Sequence, residues 1–365
     1  MVLTPSEGWT HYVALQIHSP SVDYQMHITL KRGSGVNDPA SGIMYDNNHC
    51  HHDDMRDHRF GSESDPSSAS CMQLPEWTER VDPGIERRMW VKTNGSSALY
   101  LFAGNEDADE YTTGVDTFIH YCEFTGSGDP AGWSDPWGGW TIENDTYKTV
   151  SSSMKHAYVT GSSIRDAYVD VRFKITTTVA PYVAVCARKQ PGSRKCYWFS
   201  VRRYATKPTS EGSRNYYYNG NSNTGLTGVQ FTLDGEWHDY TVCFHDNAFS
   251  VWWDGEQKVT EASLGGYITT AGEVGLTQWD PGTRYADLFR VRKYDPLMPS
   301  WSTFEEWQAV GPAPYTPLSN IDVRPAVITS THIAALAGLP VDQKIRIYVK
   351  AVTGQEKEMV LDSPM

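Results

Sequence analysis

The sequence predicts an all-β protein made of a small β-sandwich, a second and larger sandwich, and a short C-terminal segment. Helical periodicity is nearly absent from the 365 residues, whereas short runs of alternating apolar and polar residues recur. Gly, Pro, Asn and Asp separate these runs, and 12% of the residues are aromatic, which favours strands. A chain of this length predicts two or three domains rather than one core.

Four strands are predicted in the N-terminal part, at residues 9–17, 24–30, 87–92 and 98–102. The last two flank Asn94–Gly95, and Asn-Gly between apolar runs is a strong hairpin signal. Residues 33–48 are rich in Gly, Asn and Asp and predict a loop. Together these elements predict a first domain at residues 1–116.

A longer series of strands predicts the second domain, at residues 117–295. It opens with a Gly-, Pro- and Trp-rich loop at 126–140. The predicted strands follow at residues 163–176, 181–188, 195–204, 229–233, 238–257 (two strands), 273–280 and 285–295. Asp246–Asn247 and Asp254–Gly255 predict tight turns within this series.

The C-terminal segment, 296–365, begins with a Pro-rich stretch that predicts a boundary. A helical-looking piece at 332–339 and a strand at 344–352 follow. We expect a linker followed by an attachment or oligomerisation segment.

Charge and hydropathy narrow the classes of function. The net charge of −13 argues against non-specific nucleic-acid binding, because phosphates require clustered Lys and Arg. No stretch approaches the roughly 20 apolar residues that span a bilayer, so we expect no membrane insertion. The N-terminus shows no basic region followed by an apolar one, so we expect no general secretory signal.

The six cysteines include no CxxC pair, and their even number favours disulfides. Cys186 and Cys196 flank the turn at 188–195, so we predict a disulfide across this hairpin. Cys50 with Cys71 is the second predicted pair. Buried free thiols are the alternative for all of them.

The stretch HCHHDDMRDHRF at 49–60 has the residue types of a metal centre. It lacks the HExxH spacing that places two histidines on one face of a helix. In an extended chain His49 and His51 share one face, and His52 does not. We therefore predict a polar loop leading into a strand, with no metal ligands.

Residues 9–116 resemble a small β-domain of unassigned function that is common in archaeal and bacterial surface proteins. The resemblance lies in Trp9, SVDYQMHITL, DDMRDHRF, RRMWVK and ALYLFAGNEDADEYT. It implies that Asp57 starts a strand and that Phe60 lies in the core. This chain departs from the pattern of that family at two positions. Ala103 replaces the usual Tyr, and no Pro follows Asn105.

Residues 117–295 resemble a concanavalin-like (laminin-G-like) jelly roll. The resemblance lies in GEWHDYTVCFHDNAFSVWWDGEQ, GEVGL and YADLFRVRKY. Glycosidases of that fold carry acidic residues along one strand as E-x-D-x-(x)-E, so that two carboxylates flank the bond. Asp166 and Asp170 lack an acidic third partner here, so we expect no enzyme. The sequence leaves open a calcium site formed by loop oxygens, although no D-x-D-x-D-G loop occurs.

Two aromatic clusters are the candidate binding residues. Trp133 and Trp137 lie in the Gly/Pro loop, and Tyr216, Tyr217 and Tyr218 lie in NYYYNG, which we also predict to be a loop. Aromatic faces beside Asp, Asn and Arg suit sugar rings, since the ring stacks and polar groups bind hydroxyls. Packing on neighbouring loops or subunits is the alternative.

Extracellular-type modules without a secretory signal predict a glycan- or surface-binding adhesion protein, in a virion or at the cell surface. A tail fibre, spike or capsid turret that contacts the host envelope is the setting we expect. Its partners would be a cell-surface glycan or envelope protein and other virion or surface subunits, with the chain itself a homo-oligomer. The alternatives are a purely structural building block and a glycoside-active enzyme.

Overall fold

The computed structural model describes residues 8–66, 68, 70–150, 153–176, 182–202, 212–230, 233–279, 281–310, 345–350 and 356–361, the last two ranges as backbone. The chain divides into two compact units, Met1–Ala313 and Pro314–Met365. The predicted all-β class is confirmed. Within the described residues, no helix has the length and apolarity that a membrane span requires.

The first sandwich of unit 1 packs a four-stranded sheet on a five-stranded one. Its strands are β1 (His11–His18), β2 (Val22–Lys31), β3 (Ile43–Tyr45), β4 (His58–Gly61), β5 (Glu76–Asp82), β6 (Glu86–Asn94) and β7 (Ala98–Ala103). A short 3₁₀ turn, Pro39–Ser41, precedes β3. Gly95 takes a φ of 88° in the turn between β6 and β7, but these strands belong to different sheets, so the turn connects the two sheets and the predicted hairpin does not form. Alternate residues point inward, so Val13 and Leu15 of β1 face Ile28 of β2 across the core.

The second sandwich packs an eight-stranded sheet on a seven-stranded one. The helical turn α1 (Gly114–Thr117) leads into it. Its strands are β8 (His120–Cys122), β9 (Trp133–Ser134), β10 (Trp140–Ile142), β11 (Tyr147–Thr149), β12 (Lys155–Val159), β13 (Ala167–Ile175), β14 (Tyr182–Lys189), β15 (Cys196–Arg202), β16 (Gly212–Tyr218), β17 (Asn223–Gln230), β18 (Trp237–His245), β19 (Ala248–Trp253), β20 (Glu256–Ser263), β21 (Glu273–Trp279) and β22 (Arg284–Lys293).

The strand order places distant parts of the chain side by side in the second sandwich. The eight-stranded sheet runs β10-β11-β22-β13-β18-β19-β20, with β8 beside β22. The seven-stranded sheet runs β17-β16-β15-β14-β21-β12-β9. Asp246 and Asp254 adopt positive φ angles of 41° and 49° at the two predicted turns between β18, β19 and β20.

The segment after residue 296 differs from its predicted role as a linker. It continues as β23 (Ser300–Phe304) and β24 (Gln308–Ala309), which both pair antiparallel with β1. The five-stranded sheet therefore runs β23-β1-β7-β4, with β24 also on β1, opposite a β3-β2-β6-β5 sheet. Trp301 and Phe304 are buried in the first core, so these residues complete a sandwich that begins near the N-terminus.

Unit 2 is described as one hairpin. β25 (Ile345–Lys350) pairs antiparallel with β26 (Glu356–Leu361), and β25 matches the strand predicted at 344–352. The helical-looking piece predicted at 332–339 lies outside the described residues.

A buried ion network joins the two sandwiches of unit 1. Asp170 on β13 accepts hydrogen bonds from Arg290 at 2.9 Å and from Arg292 at 2.6 Å. Arg290 also reaches Glu79 of the first sandwich at 2.8 Å, and its guanidinium lies 4.6 Å from the ring centre of Trp90. Burial acts to raise the pKa of Asp170, but the two arginines hold it well below its usual range. The carboxylate is therefore charged, and Asp170 and Glu79 together balance the charges of the two arginines.

We expect Asp170→Asn to lower the free energy of unfolding by about 3–5 kcal/mol, because it removes the carboxylate that Arg292 binds and leaves Arg290 with Glu79 alone. Urea denaturation at neutral pH measures this loss. Asp287→Asn is the matched control, since Asp287 pairs with Arg172 at 3.5 Å on the solvent side of the same sheet. That exposed pair should contribute less than about 1 kcal/mol. Equal losses in the two variants would contradict the role of the network.

Candidate functional site

The seven-stranded sheet of the second sandwich is buried on both faces along β15. Tyr197, Phe199 and Val201 point into the core between the two sheets. The alternate residues point the other way, and Cys196 and Trp198 are buried there in a second, smaller apolar cluster. Because side chains alternate along a strand, this outer cluster is a separate layer on the outer face of the sheet.

A cleft of about 210 Å³ opens on this outer face. Its lining combines aromatic residues with small and polar ones: Tyr182, Ala184, Trp198, Ser200, Tyr216, Asn223, Thr277, Gln278 and Trp279. Pockets that bind drug-sized ligands measure about 300–1,000 Å³, so this smaller cleft suits one ring-sized group. Five strands contribute residues, β14, β15, β16, β17 and β21, and the sheet itself therefore shapes the cleft.

The aromatic rings of the cleft meet at defined angles. Trp279 stands perpendicular to Trp198, with ring centres 5.7 Å apart and planes at 88°. Tyr218 stacks on Trp198 at 4.6 Å, which fixes the plane of that indole from behind. Tyr182 and Tyr216 form a second edge contact at 6.5 Å. The cleft thus has flat aromatic surfaces at right angles, held by packing rather than by a loop.

The residues that line the cleft include polar side chains but no charged ones. Hydroxyl or amide groups come from Ser200, Asn223, Thr277 and Gln278, and none of the nine lining residues is ionisable as an acid or a base near pH 7. Beside the cleft, the Arg202 guanidinium lies 4.1 Å from the centre of the Tyr182 ring. Such a lining favours a neutral ligand that has both an apolar face and hydroxyl groups.

The three predicted tyrosines do not share one surface. They lie in strand β16 rather than in a loop, so successive side chains alternate. Tyr216 lines the cleft, and Tyr218 is buried beneath Trp198. Tyr217 points to the opposite face, where it stacks on Tyr267 at 4.4 Å and packs against the main core. The expectation that Tyr217 belongs to a recognition surface is therefore corrected.

The two predicted tryptophans also separate. Trp133 lies in β9 and packs on the main core, 4.8 Å from the ring of Phe289, so it is not presented by a loop. Trp137 lies over the outer face of the seven-stranded sheet, 5.2 Å from the His156 ring. Arg194 places its guanidinium 4.9 Å from the Trp137 ring centre. Trp137 is thus close to the outer cluster without lining the cleft.

Cys186, Cys196 and His156 form a buried cluster beside the cleft. Their potential ligand atoms all lie within 4.8 Å of one another. Burial acts to raise the pKa of both thiols, but the neighbouring Cys196 thiol and His156 imidazole lower that of Cys186 to about 6. The pKa of Cys196 is raised well above its usual value by burial and by the Cys186 charge. The two thiols therefore titrate together as a pair, with the lower pKa at Cys186.

Neither predicted disulfide is present. All six cysteines fall within the described residues, and all are free thiols. Cys186 lies directly opposite Trp198, so Cys196 is its diagonal neighbour across the β14–β15 pair. Diagonal Cα atoms are about 7–8 Å apart, beyond the usual range for a disulfide. Cys50 lies in the core of the first sandwich, whereas Cys71 belongs to a separate cluster with Phe102.

The stretch at 49–60 forms a loop held by its own hydrogen bonds. The buried Asp57 carboxylate accepts from the backbone N–H groups of His51 at 2.6 Å and His52 at 3.2 Å. His58 donates from Nδ1–H to the Met55 carbonyl at 2.6 Å, and its Nε2 lies 3.0 Å from Glu76. Through these contacts, Asp57 and His58 hold the backbone that leads into β4, where Phe60 is buried.

Sequence reasoning missed Trp198, Trp279 and Tyr182, which form most of the aromatic lining. The available signal was the composition of the strands at 181–188 and 195–204, which are apolar or aromatic at both alternate sets of positions. A strand of that kind is buried on both faces. A second buried face on an outer sheet indicates a covered layer or a binding cleft.

Comparisons with known proteins give limited matches. A family described as a domain of unknown function (DUF2341) matches residues 54–137, which fits the resemblance of the first region to a β-domain of unassigned function. No curated protein is similar enough to match.

The similar solved structures include carbohydrate-binding modules and glycoside hydrolases at low identity. Carbohydrate-binding module CBM66 from Bacillus subtilis is 14% identical, with a TM-score of 0.39 over 44% of this chain and 96% of that one. LamAcat from Zobellia galactanivorans is 12% identical, with a TM-score of 0.36 over 48% and 97%. Xylan β-1,4-xylosidase from Bacillus halodurans C-125 is 10% identical, with a TM-score of 0.38 over 61% and 46%. At these scores the likeness assigns no function to this chain.

We expect Tyr217→Ala to lower the free energy of unfolding by about 1.5–3 kcal/mol, because it removes a ring packed on the core. Trp137→Ala should cost less than about 1 kcal/mol, since its contacts lie on the outer surface. Urea denaturation of the two variants measures the difference. A larger loss for Trp137→Ala would show that the loop, rather than β16, supports the fold.

Proposed function

We propose that this chain is a non-catalytic glycan-binding protein that holds one neutral sugar ring in the cleft on the outer face of the seven-stranded sheet. The observation that carries the proposal is the perpendicular pair of Trp198 and Trp279, 5.7 Å apart. A sugar ring has an apolar C–H face and a rim of hydroxyls. One indole can stack on the C–H face of the sugar ring while the other packs against the edge of that ring.

The polar groups of the cleft support a sugar over a purely apolar ligand. Ser200, Asn223 and Thr277 surround the aromatic rings and can exchange hydrogen bonds with hydroxyl groups. The absence of charge among the lining residues favours a neutral sugar over a sulfated or uronic one. The net charge of −13 acts in the same direction, since it repels anionic polysaccharides at long range.

The lining also supports binding without hydrolysis. Glycosidases generally use two carboxyl groups, about 5–9.5 Å apart, on either side of the scissile bond. None of the nine residues that line the cleft is Asp or Glu. A ring held there would therefore lack the acid and the base or nucleophile that cleavage needs.

A glycan-binding role fits an adhesion protein, with a cell-surface glycan as the partner. The virion or cell-surface setting and the homo-oligomer stay predictions, because none of the observations on the chain bears on them.

A glycan array of neutral and charged oligosaccharides, followed by calorimetry with the best ligand, tests the proposal. Trp279→Ala should weaken binding about 10- to 100-fold, the scale of one lost buried aromatic contact. Trp237→Ala is the matched control, because Trp237 is also a half-buried tryptophan but lies in the eight-stranded sheet. It should leave the affinity unchanged.

Three results would contradict the proposal. The first is no binding to any neutral glycan, and the second is an equal loss of affinity in Trp279→Ala and Trp237→Ala. The third is cleavage of the bound oligosaccharide, seen by mass spectrometry after prolonged incubation, which would favour the enzyme alternative.

A further inference from the structure

We propose that His156, Cys186 and Cys196 form a binding site for one Zn²⁺ ion. The three side chains are at most 1% exposed, and their potential ligand atoms lie within 4.8 Å of one another. Neither ring nitrogen of the buried His156 has a hydrogen-bond partner. A buried imidazole without a partner is costly, and a metal ion is a partner that would remove this cost. The site is separate from the sugar proposal and does not depend on it.

The geometry is close to that of a zinc site. Zn–S bonds of about 2.3 Å and Zn–N bonds of about 2.0 Å place tetrahedral ligand atoms roughly 3.5–3.8 Å apart. The observed upper limit of 4.8 Å means that a contraction of about 1 Å would bring the three atoms into coordination. Three protein ligands leave the fourth position for a non-protein donor such as water.

The chemistry of the ligands selects the ion. Thiolate and imidazole favour zinc over calcium or magnesium, which take oxygen ligands. Two thiolates and one neutral imidazole carry a charge of −2, which Zn²⁺ neutralises completely. Cu⁺ would leave one net negative charge in the same buried space, where an uncompensated charge is costly. The charge balance therefore favours Zn²⁺.

The fold brings the three ligands together from separate strands. His156 lies on β12, Cys186 on β14 and Cys196 on β15, with β21 between β12 and β14. Cys186 pairs directly with Gly275 of β21, and a Cβ at Gly275 would lie 2.2 Å from the Ala157 carbonyl oxygen. Glycine therefore allows β12 to approach β21 closely at the position that brings His156 near Cys186.

Neighbouring groups could support a bound ion. The Nε1 atom of Trp198 is buried without a hydrogen-bond partner, and this side chain interacts with the Cys196 thiol. An indole N–H beside a zinc-bound sulfur is an outer-shell donor of the kind that orients ligands. Trp137 packs edge-on against the His156 ring, and the Arg194 guanidinium lies over the Trp137 ring.

Metal loading of the purified full chain tests the proposal. The protein is reduced and treated with chelator, and Zn²⁺ or Co²⁺ is then added under anaerobic conditions. We expect one Zn²⁺ per chain by elemental analysis. With Co²⁺ we expect thiolate charge-transfer bands and the intense visible bands of a tetrahedral site.

Single substitutions of the ligands locate the ion. Cys186→Ser, Cys196→Ser and His156→Gln should each weaken Zn²⁺ binding by more than about 100-fold, since loss of even an outer-shell partner costs about 10- to 100-fold. Cys243→Ser is the control, because Cys243 is a buried free thiol in the other sheet, and it should bind like wild type. Far-UV circular dichroism checks that each variant folds. The Co²⁺ spectrum of the wild-type chain tests the metal site even where a variant fails to fold.

Two outcomes would overturn the proposal. In one, the fully reduced wild-type chain takes up no Zn²⁺ and gives no tetrahedral Co²⁺ spectrum. In the other, Zn²⁺ binding is unchanged in all three ligand variants, which would place the ion elsewhere on the chain.

Discussion

The register of β15 between β14 and β16 is the constraint on which both candidate sites depend. Trp198 lies opposite Cys186 on one side and Tyr216 on the other, so the three side chains share the outer face. Tyr197 lies opposite Ala187 and Tyr217 and faces the core. A shift of one residue would exchange the two faces, and the cleft and the thiol cluster would both be lost.

Burial on both faces of one sheet explains why the two sites are adjacent. The seven-stranded sheet covers the main core with one face, and its outer face carries a second apolar layer around Trp198. One side of Trp198 borders the cleft, and Cys196 lies beside it on the same strand. A sugar ring and a metal ion would therefore use the same rigid support, although they use different atoms and chemistry.

The sequence predicted most strands but not the sites, and the reason is the range of the contacts. Alternation and the Asn94–Gly95 turn are local signals, and the strands they predict are present. NYYYNG reads as a polar loop because turn residues surround it, yet pairing with β15 makes it a strand. The order β15-β14-β21-β12 joins residues more than 100 positions apart, and no local pattern reveals it. Trp301 likewise joins the first core from a Pro-rich segment.

Fluorine NMR of the chain labelled with 5-fluorotryptophan tests the central claim most directly. Each of the 13 tryptophan resonances can be assigned by single Trp→Phe substitution. On titration with a neutral oligosaccharide that binds, the account predicts shifts concentrated at Trp198 and Trp279, with Trp133 and Trp237 unchanged. Shifts at Trp133 or Trp237 with none at Trp198 and Trp279 would contradict the assignment of the cleft.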